Sequence, residues 1–204
     1  LPGLICTMHH FFMIHFRCWG VVSLLFSPLF LLAQNKVEQE IRLQPEDVNV
    51  QAREYVDSFR FRKKVKWYRE IGIDTTSLEA KVKYRGKRHS IEFTSDGQLQ
   101  DIEIEIRKKE LPPDVRRKVE TYLQERFRKY AINKIQVRHT GPPGRLRTYL
   151  LGRGPREAIQ VDYELVVSAK AKTAYKKYEI SFSASGDYLQ SAEILQKNTD
   201  NIEY

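Results

Sequence analysis

The sequence predicts an α+β protein built as two tandem repeats, each one helix packed on a roughly four-stranded antiparallel sheet. Three observations predict it. Apolar residues recur at helical spacing after two Pro-led starts. Alternating apolar and polar runs, parted by short Gly turns, follow each start. The two sets match along the chain at a near-constant offset. Self-similarity of this kind marks a repeated supersecondary unit, and an apolar helix stripe facing half-wet strands gives a two-layer fold.

The first 34 residues stand apart. They hold one charged side chain, Arg17, ahead of an apolar stretch from Trp19 to Ala33. One positive charge, an apolar run and a small residue at its end describe a secretory signal peptide, with cleavage expected near Ala33-Gln34. The run is shorter than the roughly 20 residues that span a bilayer, and Pro28 interrupts it. Cys6 and Cys18 both fall in this leader, so residues 35–204 offer no thiol nucleophile, disulfide or Cys-based metal site.

Residues 35–108 form the first repeat. Pro45-Glu46-Asp47-Val48 is a helix start, with Pro and acids in the first turn. The stripe Val48, Ala52, Tyr55, Val56 and Phe59 follows. Val65 and Trp67 begin a short strand. Leu78, Ala80, Val82 and Tyr84 alternate with polar residues up to the Arg85-Gly86 turn. His89, Ile91 and Phe93 alternate up to Ser95-Asp96-Gly97, and Ile102, Ile104 and Ile106 complete the set. Period-2 runs joined by Gly turns are hairpins with one wet face.

Residues 109–204 repeat the pattern. Pro112-Pro113-Asp114 starts a helix with the stripe Val115, Val119, Tyr122, Leu123 and Phe127, offset by 67 at its first four positions. Ile135 and Val137, then the run Ile159 to Val167, then Tyr178, Ile180 and Phe182 before Ser185-Gly186, and finally Leu189 to Ile194, read as strands. The hairpin Ile91 to Gly97 matches Ile180 to Gly186 at an offset of 89, because residues 140–157 are an insertion.

The Pro-led helix, the Val65-Lys66-Trp67 strand, the Tyr84-Arg85-Gly86-Lys87 hairpin and Ile91-Glu92-Phe93 ending in Asp96-Gly97 together resemble the PepSY-like domain family, similar in fold to the β-lactamase inhibitor protein. The resemblance spans about residues 40–196. Ser185 replaces the turn Asp in the second half, and no Trp follows its helix. The resemblance implies a secreted or periplasmic bacterial protein without catalytic residues, and inhibition of a peptidase or β-lactamase as one activity suggested for such folds.

The residues themselves point the same way. Downstream of the leader the histidines are His89, in register with a packed strand face, and His139, expected at a solvated strand end. No metal-binding His spacing, nucleophile elbow or phosphate loop occurs there, so no catalytic residue, cofactor or metal is expected. Glu103 and Glu105 share one strand face and read as acids on a wet sheet surface. The 35 Lys+Arg against 26 Asp+Glu give a net charge of +9, which suits acidic partners; export argues against nucleic acid. The insertion, GPPGRLRTYLLGRGPR, reads as an exposed irregular loop carrying Arg145, Arg147, Tyr149, Leu150, Arg153 and Arg156 as candidate binding residues, since aromatic and Arg side chains anchor interfaces. The expectation is a non-enzymatic exported binding module for a protein or peptide. The alternative is a structural envelope protein whose basic face meets anionic polysaccharide or lipid headgroups.

Overall fold

The computed structural model describes residues 34–73, 75–171 and 174–196; the leader lies outside them. Nine strands form one closed sheet: β1 (Gln34–Leu43), β2 (Lys66–Ile71), β3 (Thr76–Tyr84), β4 (Lys87–Thr94), β5 (Leu99–Glu105), β6 (Tyr130–Thr140), β7 (Gln160–Ala171), β8 (Ala174–Ser183) and β9 (Tyr188–Gln196). Neighbours in sequence pair antiparallel throughout. The barrel closes where β1 lies parallel to β9. Three helices, α1 (Val50–Asp57), α2 (Pro113–Arg126) and α3 (Pro143–Leu150), lie against it. The α+β class and the helix-then-four-strands order of each half are those predicted. Strand β1 and helix α3 are additions.

Side chains alternate across a strand, and here the two faces differ sharply. One face meets the helices. Leu78, Ala80, Ile91, Phe93 and Ile102 are buried there with Ala52 and Val56 of α1. In the second half Leu165, Val167, Ile180 and Phe182 are buried with Val115, Val119 and Leu123 of α2. The opposite face, expected to be wet, lines the closed barrel. Glu79, Glu103, Gln136, Asp162, Glu164 and Ser181 are buried on it. Closure of the sheet takes away the solvent an open sheet would have offered to Glu103.

The helix starts differ from expectation in one respect. Pro45–Asp47 forms a 3₁₀ turn, and α1 begins only at Val50, capped by Asn49, whose Oδ1 accepts from the Gln51 N–H at 2.8 Å. The turn glycines of the two hairpins explain the matched Gly97 and Gly186. Both have positive φ, +91° and +84°, and a Cβ at Gly97 would strike the Asn49 side chain while one at Gly186 would strike the Val115 backbone. Each repeat thus seats a hairpin turn directly on the start of its own helix, a contact only Gly permits.

The inserted segment is the main correction. Residues 143–150 are helix α3 and not an irregular loop, and Leu146 and Leu150 are buried in the core of the first half, together with Ile159 and Val161. Pro143 sits at the first turn of α3, where its missing N–H costs nothing. The second half therefore supplies a piece of the first half's core.

Candidate functional site

Helix α1 ends at Ser58, and the chain turns through Phe59 and Arg60, which holds φ at +54°. The end of α3 meets this turn. Arg147 donates from Nε and Nη2 to the Ser58 carbonyl oxygen, at 3.3 and 3.0 Å, so its guanidinium satisfies a backbone acceptor at the close of α1. Between them lies an open pocket of about 550 Å³, lined by Ser58, Phe59, Arg60, Arg147, Leu151 and Arg153. Arg60 and Arg153 are exposed and make no ion pair with a described acid. Arg62, Lys63 and Lys64 continue the basic run from Arg60 and are also exposed.

The candidate residues divide on this geometry. Arg147 and Arg153 come together at the pocket. Arg145 and Arg156 are exposed outside its lining. Tyr149 is half-buried, its ring 5.4 Å from that of His139. Leu150 is a core side chain, 8% exposed, because the helix turns it inward. Sequence reasoning missed Ser58, Phe59 and Arg60. The basic run from Arg60 to Lys64 was a visible signal, but nothing local joined it to a segment about 90 residues further on.

The histidines do not serve this pocket. His89 is packed as predicted, 6% exposed, with Nδ1 3.2 Å from the Lys87 carbonyl oxygen. His139 is buried too, at 4%, against the expectation of a solvated strand end. It pairs with Ile102 across β5 and β6 and is covered by Tyr149 of α3. Burial lowers the pKa of both rings and keeps them neutral.

Acids dominate the barrel interior. One oxygen each of Glu92, Asp101 and Glu103 lies within 4.8 Å of the others, and so it is for Glu40, Glu70 and Glu79. All-oxygen sets suit hard divalent cations, although Lys81 Nζ already stands 2.8 Å from Glu40 and 2.9 Å from Glu79. Arg138 bridges Asp162 and Glu164 at 3.3 Å each, and Gln136 donates to Glu103. Burial raises Glu70 to about 8, Glu164 to about 7 and Asp101 to about 6, with neighbouring carboxylates adding to the rise. Glu92 and Glu103 are held well above the ordinary carboxylate range for the same reasons.

No protein-family model matches the chain, and no curated protein does. Solved structures do. A DUF2874 family protein from Bacteroides ovatus is 12% identical, with a TM-score of 0.47 over 72% of this chain and 87% of that one. A second DUF2874 family protein, from Bacteroides uniformis, is 12% identical with a TM-score of 0.48 over 72% and 89%. A BLIP-like protein from Bacteroides fragilis is 14% identical with a TM-score of 0.45 over 77% and 92%. The chain is structurally similar to DUF2874 and BLIP-like proteins at low identity, and the likeness is one of fold.

Proposed function

We propose that the protein is a non-enzymatic exported binding module that grips an acidic segment of a protein partner at the junction of α1 and α3. The observation that carries this reading is the pocket itself. Arg60, Arg147 and Arg153 converge over an apolar floor of Phe59 and Leu151. Guanidinium groups pair with carboxylates in fixed geometry, and an aromatic beside them suits an anchoring side chain. The charge-poor leader supports export, to the periplasm or beyond the cell. The burial of both histidines, each against a backbone carbonyl, supports binding over catalysis. A basic face that meets anionic polysaccharide or lipid headgroups is less well supported. On α2, Arg117 is paired with Asp114 and Lys118 with Asp187, at 2.8 and 2.7 Å, so part of that face is already neutralised.

Titration calorimetry with a set of acidic and basic peptides tests the reading. Acidic peptides are expected to bind, and Arg60→Glu with Arg153→Glu to abolish binding. Equal binding of acidic peptides by the charge-reversed variant overturns it. Binding of anionic vesicles or polysaccharide with no peptide binding favours the envelope reading instead.

A further inference from the structure

Two half-buried rings, Phe61 and Tyr84, stand beside the α1–α3 pocket without lining it. Phe61 stacks on Phe59, with centroids 5.1 Å apart and planes 5° from parallel, and meets the Tyr84 ring edge-on at 5.3 Å. Phe59 is a buried wall of the pocket, so the stack carries apolar surface outward from it. Tyr84 ends β3, and the turn after it, Arg85-Gly86, holds both residues at positive φ. The Arg85 guanidinium carbon lies 5.1 Å from the Tyr84 ring centroid, and Nη2 donates to the Leu151 carbonyl oxygen at 3.2 Å.

These contacts close on themselves. From the pocket wall at Phe59 they run through Phe61, Tyr84 and Arg85 to Leu151, which lines the same pocket. The shelf made by the two rings is therefore continuous with the pocket at both ends. Arg85 rims the shelf as Arg60 and Arg153 rim the pocket. All three are exposed, and none forms an ion pair with a described acid. The bond to Leu151 satisfies a carbonyl at the end of α3. It uses one of the five N–H groups that a guanidinium offers and leaves the rest for an anion.

We infer, resting on the acidic-segment function proposed above, that the shelf of Phe61 and Tyr84 is a second compartment of that site, and that the partner segment carries an aromatic side chain close to its acid. In an extended segment, side chains two positions apart share a face and stand about 7 Å from each other. A carboxylate held by Arg60 or Arg153 at the pocket thus places the side chain two positions on over the shelf, one ring-to-ring step beyond Phe59. An aromatic side chain there packs against the edges and faces of Phe61 and Tyr84. It also meets the Arg85 guanidinium, which attracts the face of a ring. A small polar side chain gains neither contact. Charge alone would accept any acidic chain, and the shelf selects among them.

Titration calorimetry on the full chain with two acidic peptides of equal length and charge tests this. One carries Phe two positions from an Asp, and the other carries Ser in its place. The Phe peptide is expected to bind at least about fivefold more tightly, as one added aromatic contact gives. That ratio should persist as salt is raised, while the affinity of both peptides falls. Tyr84→Ser is expected to remove the preference and to leave the affinity for the Ser peptide as it is in the parent. Should that variant fail to fold, Phe61→Ser is expected to do the same. Equal affinity of the parent for the two peptides overturns the shelf and leaves the acidic-segment function standing. A preference that survives in whichever variant folds overturns the shelf as well. Binding of neither peptide by the parent overturns both.

Discussion

The Tyr55 hydroxyl donates to the Pro143 carbonyl oxygen at 2.9 Å. This bond fastens the helix of the first half to the segment inserted into the second. Burial of the hydroxyl raises the pKa of Tyr55, so it stays protonated and donates at any physiological pH. Together with Arg147 on the Ser58 carbonyl, it makes α3 part of the first half's helical layer.

Leu146 lies at the centre of that junction and has no exposed surface. Leu146→Ala is expected to destabilise the protein by about 2–5 kcal/mol through lost burial and the cavity left behind. Urea unfolding measures it. Replacing residues 142–155 with a short Gly-Ser linker removes Leu146, Leu150 and the Tyr55 acceptor at once, so it should cost at least as much. A midpoint unchanged by Leu146→Ala would show that α3 is dispensable to the core.

The two turn glycines should differ in their tolerance. Gly97→Ala puts a Cβ against the Asn49 side chain, which can rotate away at the loss of its cap. Gly186→Ala puts a Cβ 2.9 Å from the Val115 Cα, which cannot. The strain of positive φ, of order 1 kcal/mol, is common to both. Thermal unfolding should therefore show Gly186→Ala as the more destabilised of the two, and the reverse order would contradict the contact geometry.

Much of this was readable in the sequence because it is local. The stripe Val115, Val119 and Leu123 and the alternation Ile91, Phe93 follow from periods that any window reveals. What closes the fold is not local. Glu103 and Glu164 look like acids on a wet face, and only the pairing of β1 with β9 buries them. Strand β1 lies where the sequence analysis expected only the boundary of a leader, and it carries Lys, Glu and Arg, which hid its role. Leu146 and Leu150 sit at helical spacing between Pro and Gly residues, and the Pro and Gly content outweighed that spacing. Arg147 and Arg153 were found because arginines beside aromatic residues are distinctive; Arg60 needed the fold.

The buried histidines set an acid limit. Burial lowers both His89 and His139 below the usual imidazole value. Their folded-state pKa lies under the unfolded one, so the unfolded chain takes up the protons first. Stability is full above the ordinary histidine range and falls as pH drops through the depressed values. This limb opposes the interior carboxylates, whose contribution is lost on the alkaline side. His139→Gln is expected to flatten the acid limb of a Tm-against-pH curve and leave the alkaline limb unchanged. A variant whose acid limb keeps the parent slope would remove His139 as its cause.

Arg147 and Arg153 line one pocket but should respond differently to removal. Arg147 holds the Ser58 carbonyl with two donors, so Arg147→Ala leaves a backbone acceptor at the end of α1 without them. A loss of about 1–3 kcal/mol of stability is expected from that acceptor, together with weaker binding of an acidic peptide. Arg153 is exposed and makes no such bond, so Arg153→Ala should leave urea unfolding within about 0.5 kcal/mol of the parent. Its effect should appear in binding alone, as a weaker affinity and a shallower dependence on salt, since a solvent-facing charge acts through a screened field. Measuring both variants by unfolding and by peptide titration over a salt series separates the roles. If Arg153→Ala binds the peptide as the parent does at every salt concentration, the pocket contributes no charge of its own from that side. The acidic segment would then be held by the exposed run from Arg60 to Lys64 instead, and a charge reversal at Lys63 would show it.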